Sequence, residues 1–293
     1  MDKRGQAVLA VAFGAFLLGL APIGLRLSEL GPQATAFWRF AFAMPVLAIA
    51  FAAHEPHLPA RRIPLLAAAG VCFALDIALW HAALGYTSVV NATLASNMTP
   101  VLAAAAGWLF FKERITRAYL IGACVAIGGA GLLSFARAQS GGPMSGESGL
   151  FGDLLGLASA FWYAGYLIIL RGVRTDVGAR ATMLVTTATS ALVALGLALA
   201  FGEMLMPQTA QGWLMLILLG VLVHAGGQGL IAFGVGRLPI ALSTVLLFVQ
   251  PVAAAIWSWM LFGEALSTLA LLGGALVLGG VWLVQTRRME RNA

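Results

Sequence analysis

The chain has 293 residues, 61% of them hydrophobic and only 10% charged, with a mean hydropathy of +0.94. A soluble domain carries about 25% charged residues, so this composition excludes an aqueous fold and makes a lipid bilayer the solvent for most of the surface. The net charge of +6 is therefore no footprint of nucleic-acid binding, and what matters is where the basic residues lie.

A spanning helix needs about 20 mostly apolar residues. Ten such runs follow one another, at about 5–25, 35–53, 64–84, 90–110, 117–136, 150–170, 181–202, 212–232, 239–261 and 267–285. Lys3 and Arg4 precede the first run as in a secretory signal, but the run is long enough to span and no small-residue cleavage site follows it. It is read as the first membrane helix. Gly31-Pro32, the stretch from Pro56 to Arg62, Lys112 to Arg117, and the Gly/Ser-rich stretch from Ser140 to Gly149 separate later runs. The linkers Gly85 to Val90 and Gly234 to Pro239 are short and apolar, and each predicts a tight helical hairpin. Cys72 and Cys124 fall inside apolar runs without metal-ligand spacing. They are expected to be buried free thiols, with no metal and no cofactor.

The chain repeats itself. Residues 100–116 read PVLAAAAGWLFFKERIT and residues 251–267 read PVAAAIWSWMLFGEALS, so Pro100, Trp108, Phe111, Glu113 and Thr116 match Pro251, Trp259, Phe262, Glu264 and Ser267. The register continues without a gap through Gly122/Gly273, Gly128/Gly279 and Gly129/Gly280. The duplication divides the chain into a first five-helix unit over 1–138, a linker over 139–149 and a second unit over 150–293.

Charge orients the ten runs. With a cytoplasmic N-terminus, one side carries Lys3, Arg4, Arg61, Arg62, Lys112, Arg114, Arg117, Arg171, Arg174, Arg180, Arg237, Arg287, Arg288 and Arg291. The other carries only Arg26 and Arg137, and Arg39 alone falls within a span. This is the positive-inside bias, and it puts both termini in the cytoplasm. Five helices is an odd number, so the second copy enters the membrane from the opposite face. The expected fold is an all-α integral membrane protein of ten transmembrane helices in two inverted repeats, an arrangement that gives two near-equivalent states open to opposite sides.

Two five-helix halves, each with a proline in its fourth helix, a glutamate at that helix's end and a Thr or Ser three residues on, resemble the EamA-type members of the drug/metabolite transporter superfamily. Leu17 to Ala21 and Leu154 to Ala158 carry a weaker echo in the first helix of each half. Arg39 is similar to the arginine common in that family's second helix; its counterpart near Thr186 is not basic. The aromatic side chains are also similar to those of YddG-type aromatic amino acid exporters. The resemblance implies export of small metabolites across the bacterial inner membrane.

Candidate site residues follow from the cost of polar groups in a bilayer. Asp76 lies mid-span in the third run, opposite Gly227 in the repeat, with Trp80 one turn on and His81 beside it. Thr93, Asn97 and Pro100 share a helical face in the fourth run, and Ser243 and Gln250 do so in the ninth. His224 and Gln228 stand one turn apart in the eighth. These stripes are read as lining one water-filled cavity, although any single Ser or Thr can equally bond to its own helix. Trp162, Tyr163 and Tyr166 add aromatic surface for a flat substrate or a cation, while Trp38 also fits an interfacial belt. Pro100, Pro251 and Arg39 are candidates for hinge or gate, the prolines standing mid-helix. Glu113 and Glu264, with Thr116 and Ser267 at N-cap spacing, are read as closing tight hairpins.

The function expected is secondary transport of small organic solutes, amino acids with aromatic side chains foremost, by alternating access. Protons are an admissible co-substrate through Asp76, and monomer and homodimer are both compatible. A broad drug/cation or nucleotide-sugar-type transporter is the alternative, but a phosphate-bearing substrate asks for more basic groups within the spans than Arg39. An intramembrane enzyme would need a serine nucleophile motif or HExxH, and neither is present.

Overall fold

The structure, a computed structural model, describes residues 3–54, 58–87, 92, 95–139, 149–173, 176–263 and 266–289. Thr93, Glu264 and most of the stretch between the halves lie outside these residues. All its regular elements are helical: α1 (Lys3–Leu18), α2 (Ala21–Arg26), α3 (Pro32–His54), α4 (Ile63–Tyr86), α5 (Thr99–Phe111), α6 (Arg117–Gln139), α7 (Leu150–Val173), α8 (Ala179–Ala200), α9 (Ala210–Leu218), α10 (Gly229–Val235), α11 (Ile240–Leu246), α12 (Val249–Phe262) and α13 (Thr268–Met289). A 3₁₀ turn, Ala60–Arg62, leads into α4, and a ten-residue π-helical stretch, Leu219–Gln228, joins α9 to α10. Eight of the described helical segments are long and apolar enough to cross a membrane, and Thr99–Phe111 and Thr268–Val284 are shorter apolar helices.

The prolines act earlier than the sequence suggested. Neither kinks a continuous helix. The chain turns at 97–98 and at 247–248 and restarts, with Pro100 the second residue of α5 and Pro251 the third of α12. Proline lacks an N–H, so the first turn of a helix is where it costs least. The carbonyls it would have paired find substitutes: Thr99 Oγ1 donates to Ser96 O at 2.9 Å, and Gln250 N donates to Leu247 O at 2.9 Å. Both copies thus carry a broken helix at nearly the same place.

The hairpins that follow also match. Lys112, at φ 52°, and Gly263, at φ 66°, occupy equivalent positions and end α5 and α12 in the left-handed conformation. Thr116 Oγ1 then accepts from Tyr119 N at 3.1 Å, and Ser267 Oγ from Ala270 N at 3.2 Å, so both N-caps form as expected. Glu113 does something different from closing its own hairpin. It reaches across to the other half, where Oε1 accepts from Ile240 N at 3.1 Å at the start of α11 and lies 4.0 Å from Arg171 Nε.

Glycines mark three of the antiparallel helix contacts between the halves. In α6 and α13, a Cβ at Gly122 would lie 2.7 Å from Gly280 O, and one at Gly129 would lie 2.6 Å from Gly273 O. Small residues permit this approach. Gly128 and Gly279 face open space and take no part. Gly14 and Gly24 of α1 and α2 meet Gly227 and Leu219, while Gly156 and Gly165 of α7 meet Ala95 and Cys72. Cys72 and Cys124 are both free, but only Cys72 is buried. Cys124 corrects the expectation, because it projects from the face of α6 that does not pack on α13.

Carboxylates tie the linkers to helix starts in the other half. Glu29, just after α2, accepts from Gln208 N at 2.6 Å, from Thr209 N at 3.2 Å and from the Thr209 hydroxyl at the start of α9. Asp176, just after α7, pairs with Arg62 at the start of α4. Glu203 Oε2 accepts from Ala34 N at 2.7 Å at the start of α3. The hydrogen bond from Thr209, followed by that from Gln208, holds the Glu29 carboxyl below its ordinary range. A lowered folded pKa gives stability above the unfolded value, about 4.3, that is lost as pH falls through the folded one. Detergent-solubilised protein should therefore melt higher than a Glu29→Gln variant at pH 7, and the difference should close as the pH drops below about 4. A pH-independent difference would mean that the carboxylate charge contributes nothing there.

Candidate translocation site

The central cluster lies where α3, α4, α7, α8 and the π-helical stretch meet. Its floor is aromatic. Phe40 of α3 stands 5.8 Å from Phe73 of α4 and 4.9 Å from His224, ring centre to ring centre. Phe73 stacks on Tyr166 of α7 at 4.8 Å, and Tyr166 stacks on Tyr163 at 5.9 Å. Phe40 and Tyr166 are fully buried.

Polar groups sit on this floor. Asp76 lies three residues beyond Phe73, and its Oδ1 accepts from Ser159 Oγ of α7 at 2.6 Å. Gln228 Nε2 donates to Tyr166 Oη at 3.2 Å, and the Thr187 hydroxyl pairs with His224 Nε2 at 2.8 Å. Arg39 lies within electrostatic reach of Asp76, His81, Tyr163, Tyr166 and His224. Yet no described residue hydrogen-bonds or ion-pairs its guanidinium, and Nε is buried without a partner. His81 Nδ1, Asn97 Nδ2 and Gln228 Oε1 also lack partners among the described residues. Unpaired groups of this kind are costly in a dry interior. Arg39, Asp76, Trp80, His81, Asn97, Tyr163 and Gln250 remain partly accessible.

Of the residues expected from sequence, Arg39, Asp76, His81, Tyr163 and Tyr166 converge here. Trp80 lies one turn from Asp76 with its ring 5.3 Å from that of His81, and Trp162 packs against the same apolar cluster as Phe73 and Tyr166. No described contact joins Asn97 or Gln250 to the Arg39 neighbourhood; both stand at the helix breaks. Ser243 is fully buried, and its hydroxyl donates to Pro239 O of its own helix turn at 3.2 Å. Trp38 is a structural residue: Nε1 donates to Leu205 O at 2.6 Å and the ring packs edge-on to Trp213. Ser159 and Phe73 did not stand out in the sequence. The π-helical stretch was not foreseen either. It changes the number of residues per turn, and such segments often mark functional sites; here it carries both His224 and Gln228 into the cluster.

A model of the EamA-like transporter family matches residues 5–135 and again 150–286. The chain belongs to that family, within the drug/metabolite transporter superfamily. It is 28% identical over 287 residues to a probable terminal-alkyne amino-acid exporter of Streptantibioticus cattleyicolor, covering 97% of this chain and 91% of the relative. It is 24% identical over 276 residues to the pseudopaline exporter CntI of Pseudomonas aeruginosa, covering 94% and 93%. The uncharacterized transporter YwfM of Bacillus subtilis is 24% identical over 290 residues, covering 97% and 96%. A protein crystal structure only 21% identical in sequence shares the fold, with a TM-score of 0.85 over 98% of this chain and all of that one. The EamA-like protein is accordingly a multi-pass membrane transporter.

Proposed function

We propose that this EamA-like protein is a secondary transporter that exports small organic metabolites across the bacterial inner membrane, with amino acids bearing aromatic side chains as the favoured substrates. The observation that carries this reading is the cluster around Arg39 and Asp76, polar, partly accessible and bordered by aromatic rings, at the seam between the two halves. Polar groups placed mid-membrane mark solute or ion pathways. The exporter names of two relatives, one an amino-acid exporter, and the resemblance to YddG-type exporters support the substrate class.

On this reading the chain crosses the membrane ten times as two inverted halves, with both termini cytoplasmic. The breaks before Pro100 and Pro251 serve as hinges, and Arg39, Asp76, Trp80, His81, Tyr163 and Tyr166 form the binding region, with Trp162, Asn97 and Gln250 at its margins. Ser243 is left out because its hydroxyl is spent on its own helix. Asp76 is the group suited to carry a coupled proton.

The test is flux in proteoliposomes with L-phenylalanine, L-tyrosine, L-tryptophan, L-leucine and L-methionine, with and without a pH gradient. Saturable flux of the aromatic members is expected. Trp80→Ala or Trp162→Ala should cut that flux by about tenfold, as loss of a buried aromatic contact does, while monodisperse protein is still recovered in detergent. Unchanged flux would remove these rings from the site.

A further inference from the structure

Arg39 and Asp76 carry opposite charges in one neighbourhood, yet they do not pair. Charges this deep in a membrane protein normally pair with one another or with backbone carbonyls. Asp76 has one described partner, the Ser159 hydroxyl at 2.6 Å, and nothing described takes its other oxygen. Arg39 has no described hydrogen bond, and its Nε is buried and unsatisfied. Packing holds the two helices in place. Phe40, next to Arg39, meets Phe73 at 5.8 Å, and a Cβ at Gly220 would lie 2.9 Å from Arg39 O, so the backbone there cannot drift toward α9 and its π-helical extension. The arrangement is a cation and an anion on adjoining helices with no hydrogen bond or ion pair between them.

We propose that this split pair is the recognition element for an α-amino acid in its zwitterionic form, the substrate carboxylate meeting the Arg39 guanidinium and the ammonium meeting Asp76 beside Ser159. A guanidinium offers paired donors that match a carboxylate, and the free carboxylate oxygen of Asp76 accepts from an ammonium. The bound zwitterion pairs both charges at once, so each has a counter-charge within hydrogen-bond reach only when the site is loaded. On this proposal the substrate's side chain lies against Tyr163, whose ring is partly accessible and is backed by that of the buried Tyr166. The second half holds no matching pair, because the repeat partner of Asp76 is Gly227 and the position corresponding to Arg39 is not basic. The repeat therefore supplies no second copy of this pair, and the site is asymmetric.

This inference rests on the transporter reading above and adds to it which substrate groups are read, and by which residues. The test uses full-length protein in proteoliposomes and three probes: L-phenylalanine, phenethylamine, which lacks the carboxylate, and 3-phenylpropanoate, which lacks the ammonium. A site built to pair a charge rejects the analogue without it, so wild-type flux of L-phenylalanine is expected to exceed that of either analogue by about tenfold or more. Arg39→Gln should narrow the preference over phenethylamine, and Asp76→Asn the preference over 3-phenylpropanoate, each without narrowing the other. Asp76→Glu keeps the charge and should keep both preferences, whereas Arg39→Lys keeps the charge but not the paired donors and should retain a reduced preference over phenethylamine. The same three probes are followed by thermal protection in detergent, where only L-phenylalanine should stabilise the wild type, so a variant too slow to assay still reports on recognition. Analogues carried or bound by the wild type as well as L-phenylalanine would overturn the split-pair assignment while leaving the transporter reading standing. Absence of flux and of protection across the whole amino-acid panel would overturn the transporter reading itself.

Discussion

A double Gly129→Leu/Gly273→Leu variant is expected to yield almost no folded protein, whereas Gly128→Leu/Gly279→Leu should fold and melt like the wild type. Gly129 and Gly273 face each other across the α6–α13 seam, where an added Cβ would lie 2.6 Å from Gly273 O on one side and 2.8 Å from Gly129 O on the other. The obstacle in each case is backbone, which cannot rotate away as a side chain tip can. Overpacking a tight contact costs about 1–3 kcal/mol per site. Two such changes on one interface add to a large share of a total stability of about 5–15 kcal/mol. Gly128 and Gly279 are next in sequence but turn to open space, so they control for composition and apolar mass. Size-exclusion profiles and thermal melts in detergent distinguish the outcomes. Equal behaviour of the two variants would mean that the seam is not close-packed.

The second large effect concerns Asp76. Asp76→Asn should lower amino-acid flux by at least about tenfold and abolish any response to an imposed pH gradient, with the protein still monodisperse. The amide keeps an acceptor for Ser159 Oγ but loses both the charge and the exchangeable carboxyl proton. Ser159→Ala serves as the graded comparison. It removes one hydrogen bond of 2.6 Å and should slow flux only several-fold, as loss of a net interaction of about 1 kcal/mol does. Flux of Asp76→Asn that still follows the pH gradient would reject Asp76 as the proton carrier.

Features that depend on one segment at a time were legible in the sequence. The apolar runs located the helices, and the matched Thr116 and Ser267 gave both caps. Asp76 and Arg39 stood out because a charge is rare inside a span. Features that depend on how segments meet were not. Gly122 and Gly128 look alike in the string, yet only the rotation of α6 against α13 decides that one is buried and the other faces open space. Ser159 is one of many mid-helix hydroxyls until α7 lies antiparallel to α4 and brings it to Asp76. The prolines are visible in sequence, but not that the helix breaks ahead of each one, because a helix that restarts before the proline satisfies more backbone groups than one that kinks at it. The π-helical stretch has no periodicity of its own to read; Gly220, Gly226 and Gly227 mark it only in retrospect. Lys112 in the left-handed region is likewise unremarkable in sequence, and its meaning comes from Gly263 in the same place of the other copy.

Alternating access between two inverted halves requires them to enter the membrane in opposite senses, and equivalent hairpins test this most directly. Ile115 and Leu266 occupy the same position in the two copies, just after Lys112 and Gly263 and just before the caps Thr116 and Ser267. Each would be replaced singly by cysteine in a Cys72→Ser/Cys124→Ser background and reacted with a membrane-impermeant maleimide in intact cells and in inverted vesicles. Inverted halves predict that Ile115→Cys labels only in the vesicles and Leu266→Cys only in the cells; labelling of both from one side would contradict the inversion and, with it, the alternating-access carrier.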